Sequence, residues 1–185
     1  MVQVILLHSV LGLRQVEHEI ASAWRAAGHE VALPDLYRGR TAKTYDDGFR
    51  LKDSVGEAAM RARLADAVRS AHGRVVLAGV SLGAHLLGEH WGRANVIGAI
   101  LLCGVARWME PRRPRFPVTA HVARPDPFDS DAYFEGWAAD AGSVDLAFYR
   151  YEGAGHYFLD ASGNDFDLHA SAVCLARTQA FLARL

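Results

Sequence analysis

Six short aliphatic runs, each separated from the next by room for a helix or a long loop, are the feature that most restricts how this chain can fold. They occupy residues 2–7, 30–33, 74–79, 96–103, 118–123 and 144–151. Most are apolar at successive positions, as strands covered by helices on both faces must be. Between the first two runs, Val16, Ile20, Ala23, Trp24 and Ala27 recur at helical spacing, and Gly28 follows as a stop. Residues 54–70 supply a second helix and residues 82–91 a third. Phe134, Trp137, Ala138 and Ala141 mark a fourth, and residues 168–185 form the last. The expected fold is therefore α/β: a three-layer α/β/α sandwich around a mostly parallel, six-stranded sheet. A chain of 185 residues with 51% hydrophobic content fits one such domain over residues 1–185.

Two long connections, residues 34–53 and 104–117, directly follow strands. In an open parallel sheet this puts them at the carboxyl ends of the strands, where ligands bind. Lys and Arg total 20 against 21 Asp and Glu, so bulk charge attracts neither nucleic acid nor an anionic membrane, and the expected partner is a small-molecule substrate. Cys103 and Cys174, 71 positions apart, form neither a disulfide framework nor a thiol metal motif. Together with an N-terminus that reads as a strand rather than a leader, they suggest a cytoplasmic location.

The strongest chemical signal lies in Gly79-Val80-Ser81-Leu82-Gly83, where a strand runs straight into G-x-S-x-G and then a helix. That arrangement holds a serine hydroxyl on a sharp turn at a helix N-terminus, with small residues where neighbouring backbone must pass. A serine needs a base to become a useful nucleophile. His156 follows the last strand in Glu152-Gly153-Ala154-Gly155-His156 and, of nine histidines, it alone combines that position, flanking glycines and the right order. Asp126, after the fifth strand in Arg124-Pro125-Asp126-Pro127-Phe128, is the expected acid orienting the imidazole. Asp129 is the alternative acid, although with Ser130 it better suits the cap of the helix carrying Phe134. The N–H groups of Leu82 and of Val10, in His8-Ser9-Val10-Leu11-Gly12, are the expected oxyanion donors.

Together these residues resemble the dienelactone hydrolase family of the α/β-hydrolase superfamily. The resemblance also rests on Leu33-Pro34-Asp35-Leu36-Tyr37, on Asp126-Pro127-Phe128 and on Tyr151-Glu152-Gly153-Ala154-Gly155-His156-Tyr157-Phe158. It implies a minimal α/β-hydrolase fold and a nucleophile, acid and histidine triad that falls on Ser81, Asp126 and His156. The name-giving enzymes use a cysteine nucleophile where this chain has Ser81. They carry a glutamate in the first loop where it has Ser9, and a substrate-gripping arginine near the place of Asp160. The implied activity shifts towards serine-dependent hydrolysis of an ester or lactone other than the dienelactone itself.

For substrate contact the candidates are Ser9, Tyr37, Tyr157, Arg112 and Arg113. Trp91, Trp108, Trp137 and Tyr45 are further aromatics that can line a pocket, but Tyr37 and Tyr157 sit in loops nearer the expected site. Arg107, Arg112, Arg113 and Arg115 lie among prolines after the fourth strand, as a solvated basic loop or as a contact to an anionic substrate or a cover over the pocket. No metal is expected. His85, Glu89 and His90 miss the H-x-x-E-H spacing by one residue, and His85 with Glu89 reads as an i, i+4 surface pair. No cofactor is expected either, since no strand ends in G-x-G-x-x-G. The rival class is a non-catalytic protein that binds a ligand in the same cleft.

Overall fold

The computed structural model describes residues 1–109 and 113–185. Six strands, β1 (Gln3–Leu7), β2 (Glu30–Ala32), β3 (Val75–Val80), β4 (Val96–Leu102), β5 (Pro117–Arg124) and β6 (Asp145–Glu152), form one sheet in the order β2-β1-β3-β4-β5-β6. Every pairing is parallel. Parallel neighbours cannot be joined by tight hairpins, so the chain returns each time through helices or a long loop.

Helices α1 (Gln15–Ala26) and α6 (Leu168–Ala183) cover one face. Val16, Ile20 and Trp24 of α1 and Cys174 and Phe181 of α6 pack there on Val4, Leu6, Val76, Ala78 and Ile100. The alternate residues of the same strands, Ile5, Leu7, Leu77 and Leu101, meet Met60, Leu64 and Val68 of α3 (Glu57–Ser70) and Phe134 and Trp137 of α5 (Asp131–Ala139) on the other. The two-residue period of a strand thus feeds two separate cores, and the layers are α/β/α.

The helical punctuation differs from expectation in two places. The long connection after β2 contains a helix, α2 (Tyr45–Val55), capped by Thr44, whose hydroxyl accepts from the Asp47 N–H at 3.2 Å. Gly56, at φ +80°, ends α2 and opens α3, so the helix expected over residues 54–70 begins three residues later, as α3, and α2 is an additional helix that meets it at this glycine. The helix expected over residues 82–91 shrinks to α4 (Leu82–His85) and a 3₁₀ turn at Gly88–His90. A Cβ at Gly88 would lie 2.4 Å from the Arg107 carbonyl oxygen. The β4–β5 connection therefore passes where a continuing helix would need space, and Gly88 is a poor helix former in any case.

Chain order reverses at β1: β2 is added on one side and β3 on the other. The crevice beyond the carboxyl ends of β1 and β3 is the switch point at which ligands bind in such sheets. Among the described residues no helix is long and apolar enough to cross a membrane.

Candidate active site

β3 ends at Val80, and Ser81 turns the chain into α4 with φ 51° and ψ −109°. A non-glycine residue held there is strained, and the two flanking glycines explain what holds it. A Cβ on Gly79 would lie 2.3 Å from the Gly83 carbonyl carbon. One on Gly83 would lie 2.6 Å from the Leu7 carbonyl oxygen. The turn can therefore close tightly against the end of β1 only with glycine at both places. Further support comes from the Ser81 N–H, which donates to Leu102 O at 2.7 Å.

His156 arrives from the loop after β6 and is 4% exposed. Its Nε2 lies 2.9 Å from Ser81 Oγ, and its Nδ1 lies 2.6 Å from Asp126 Oδ2. With a carboxylate at Nδ1, the proton sits on that nitrogen, leaving Nε2 to accept from the serine hydroxyl. Asp126 has a fully buried side chain, and its Oδ1 accepts the N–H groups of Phe128 at 2.9 Å and Asp129 at 3.3 Å. Those bonds fix the carboxylate's orientation from behind. Asp129 makes no such contact with His156; it borders the cavity, where burial first and the nearby Asp126 second push its carboxyl pKa up. The α5 cap is Ser130, whose Oγ accepts from the Tyr133 N–H.

Val10 and Leu82 both border the cavity beside Ser81, and among the described residues neither backbone N–H has an acceptor. The loop carrying Val10 is closely braced. His8 Nδ1 donates to Ser9 O at 2.7 Å, and its Nε2 accepts the Leu36 N–H at 3.0 Å. Burial lowers the His8 pKa, consistent with a neutral ring in that role. Gly12, at φ +90°, lets the loop pass the Arg40 carbonyl, which a Cβ would approach to 2.6 Å.

The cavity has a volume of about 420 Å³. Tyr45 and Phe49 of α2, with Lys52 beyond them, form one wall. Phe128 and Tyr133 form another, and Cys103, Gly104 and Val105 lie at its base with His85 on its margin. Phe128 meets the His156 ring edge-on at 4.6 Å between centroids, and Tyr45 meets Phe128 at 5.1 Å. Phe49, Phe128 and Tyr133 are each 40% or more exposed, a concentration of apolar surface at one opening. Burial raises the Cys103 thiol far above its ordinary pKa, so it stays protonated.

The expected substrate contacts fare differently. Tyr37 is fully buried against His8, and Asp35 folds its turn by accepting the Tyr37 N–H at 2.8 Å. The Pro-Asp-Leu-Tyr segment is thus a buried brace, and Tyr37 does not reach the cavity. Tyr157 turns away from it too, donating its hydroxyl to Glu17 at 2.6 Å. Ser9 is buried, its Oγ accepting the Leu11 N–H within its own turn. Arg113 donates to Val96 O at the start of β4, the opposite end of that strand from the site, because the connection must cross the sheet to begin β5. Arg112 lies outside the described residues. Trp108 stacks on Trp137 and meets Trp91 edge-on, and Trp137 Nε1 donates to Ala106 O. His85 and Glu89 do not pair; Glu89 meets Arg61 at 2.8 Å, since the helix that would align them has ended. Phe49, Lys52, Phe128, Tyr133 and His85 were missed as lining residues, whereas Tyr45, ranked behind Tyr37 and Tyr157 as a pocket aromatic, does line the cavity. The signal available was Thr44 with Asp46 and Asp47, an N-cap and acidic first turn announcing α2.

A parallel sheet in this order, with helices on both faces and a strained serine at the β3–α4 turn, defines an α/β hydrolase. Residues 1–185 match the model of the dienelactone hydrolase family, and the chain belongs to that family of ester-bond hydrolases. Among solved structures it is similar to a dienelactone hydrolase-like promiscuous phosphotriesterase from metagenomic libraries, at 16% identity and a TM-score of 0.79, covering 100% of this chain and 87% of that one. A Xanthomonas campestris pv. campestris protein described as a hydrolase of the α/β superfamily aligns at 21% identity and a TM-score of 0.71 over 100% of both chains. Esterase PE8 aligns at 16% identity and a TM-score of 0.59, covering 99% of this chain and 92% of that one. A comparison with curated proteins gives no match.

Proposed function

We propose that this chain is a serine hydrolase that cleaves a small ester, lactone or related carbonyl compound through an acyl-enzyme on Ser81. The observation carrying the reading is the uninterrupted relay Ser81 Oγ–His156 Nε2–Asp126 Oδ2, at 2.9 and 2.6 Å, on a strained turn at the cavity. In the first half-reaction His156 Nε2 takes the hydroxyl proton as Ser81 attacks the carbonyl carbon. Asp126 keeps the imidazole in the required tautomer and stabilises the imidazolium that forms. Negative charge gathers on the former carbonyl oxygen, for which the unclaimed N–H groups of Val10 and Leu82 are the donors. Collapse of this intermediate breaks the bond to the leaving alkoxide, which receives the proton from His156. Water, deprotonated by the same imidazole, then releases the acid and regenerates Ser81.

The apolar walls from α2 and the Phe128 loop suit a small hydrophobic acyl or alkoxy group, and the cavity volume suits a substrate of modest size. The test is covalent labelling of folded protein by a fluorophosphonate. Labelling at Ser81, abolished in Ser81→Ala and weakened in His156→Ala, is the expected result. Folded protein that takes up no label would favour the ligand-binding alternative.

A further inference from the structure

Glu17 has no part in the relay, yet it is fully buried in the first turn of α1. Its Oε2 accepts the Arg14 N–H at 2.9 Å, and its Oε1 accepts the Tyr157 hydroxyl at 2.6 Å and, more distantly, the Ser9 N–H at 3.4 Å. Ser9 precedes Val10, Arg14 closes the same loop, and Tyr157 follows His156. One carboxyl therefore ties both ends of the loop presenting the Val10 N–H to the segment presenting the imidazole. Capping α1 would require only the bond to Arg14. The bonds to Ser9 and to a tyrosine 140 residues away have no role in that cap, and holding an acid wholly out of water is costly.

We infer that Glu17 is a positioning residue that sets the Val10 loop against His156, so that the oxyanion donor and the base address the same carbonyl. The inference rests on the serine-hydrolase reading. A carboxylate suits the task because both of its oxygens only accept, whereas an amide offers one acceptor and would turn its NH₂ towards one of these donors. The far side of the His156 segment is held as well: Asp165 Oδ2 accepts the Tyr157 N–H at 3.2 Å and the Tyr45 hydroxyl at 2.8 Å. Arg14 pairs with Asp160 beyond that segment and lies 5.7 Å over the Tyr157 ring. Burial raises the Glu17 pKa, against the opposing pull of Tyr157 and the Arg14 N–H.

The experiment compares Glu17→Gln and Tyr157→Phe with the wild type on a short-chain p-nitrophenyl ester, reading kcat and KM, the Ki of an aryl trifluoromethyl ketone, and Tm. An oxyanion hole acts in the transition state, so a displaced loop lowers kcat on the order of 10- to 100-fold while KM holds within about twofold. The Ki of the ketone, which forms a tetrahedral adduct, rises in proportion to the loss in kcat/KM. Tyr157→Phe removes one hydroxyl at constant ring volume and gives a smaller loss of the same kind. Wild-type kcat and Ki in Glu17→Gln with only a lowered Tm overturn the inference, as do wild-type values in Tyr157→Phe should Glu17→Gln not fold. Ser81→Ala run alongside separates the two readings. Retained hydrolysis there removes the serine mechanism and this inference with it, whereas an inactive Ser81→Ala beside an unaffected Glu17→Gln removes the inference only.

Discussion

Replacing Gly83 by alanine tests whether the glycines of the turn are steric requirements of the site or incidental. The added Cβ would meet the Leu7 carbonyl oxygen at 2.6 Å and the His8 carbonyl oxygen at 2.8 Å, both backbone atoms at the end of β1. Restoring ordinary contact, which begins near 3.4 Å, requires α4 and β1 to part by about 0.8 Å. That movement separates Leu82, at the head of α4, from the Val10 loop that continues β1, so the two N–H groups proposed for the oxyanion no longer converge. Misplacement by about 1 Å can cost on the order of 100-fold in rate, and overpacking of this kind costs about 1–3 kcal/mol. Gly83→Ala should therefore lower kcat/KM roughly 30- to 100-fold and Tm by about 3–10 °C. Gly136, inside α5, is the control, since a Cβ there meets nothing within 4 Å. The same substitution at that position should stabilise by about 0.5–1 kcal/mol, by removing backbone freedom from the unfolded chain, and leave kinetics unchanged. Steady-state hydrolysis of a short-chain p-nitrophenyl ester with thermal melts of both variants reads the outcome. A Gly83→Ala protein with kcat/KM within twofold of wild type and an unshifted melt would refute the steric argument.

Two further substitutions separate site from scaffold. Asp126→Asn presents an amide to His156 Nδ1 and permits the wrong tautomer, so kcat should fall by about 10³- to 10⁴-fold. Asp129→Asn, which leaves the 2.6 Å contact intact, should change kcat little; equal losses in the two would undo the assignment of the acid. His121, in β5, is held neutral between Thr119 Oγ1 and the Tyr151 hydroxyl, and burial, aided by Arg177, drives its pKa down to about 3. Below pH ~6.5 the unfolded chain binds a proton that the folded His121 refuses, so its contribution to stability is whole above that pH and drains away towards pH 3. Urea melts between pH 4 and 6 should show a His121→Gln variant losing up to ~1.4 kcal/mol less per pH unit than wild type, and parallel profiles would count against a neutral buried ring.

The strands were readable because a parallel sheet buried on both faces requires unbroken aliphatic runs, and few other structures demand them. The observed strands differ from the expected runs by at most one residue at either end. The serine turn was readable for a related reason. Gly79 and Gly83 answer backbone contacts of 2.3 and 2.6 Å that no other residue meets, so the constraint is written as an identity. The segment around His156 carried a weaker form of the same signal: Gly155 has Asp165 Cβ only 2.8 Å from where its own Cβ would be. Gly88 was equally present in the chain, but its meaning depends on what passes beside it. The crossing of the Arg107 carbonyl over Gly88 is a tertiary fact with no local trace.

The walls of the cavity were hard to read for a physical reason. An aromatic in a loop is suitable both for a pocket and for a core, and the choice turns on where its hydroxyl or ring edge finds a partner. Tyr37 and Tyr157 flank the site in sequence and face inwards, the first against His8 and the second onto Glu17. Tyr45 also has a hydroxyl partner, Asp165, but its ring lies across Phe128 and His156 and so forms cavity surface. What distinguishes Tyr45 is that it sits on α2, an element supplied by the long connection after β2 and carried over the carboxyl edge of the sheet. The scaffold residues of this hydrolase answer to the sheet, whose pattern is local and repetitive. The residues that shape its cavity answer to one helix packed beside a histidine more than a hundred positions away, and one-dimensional periodicity cannot record that contact.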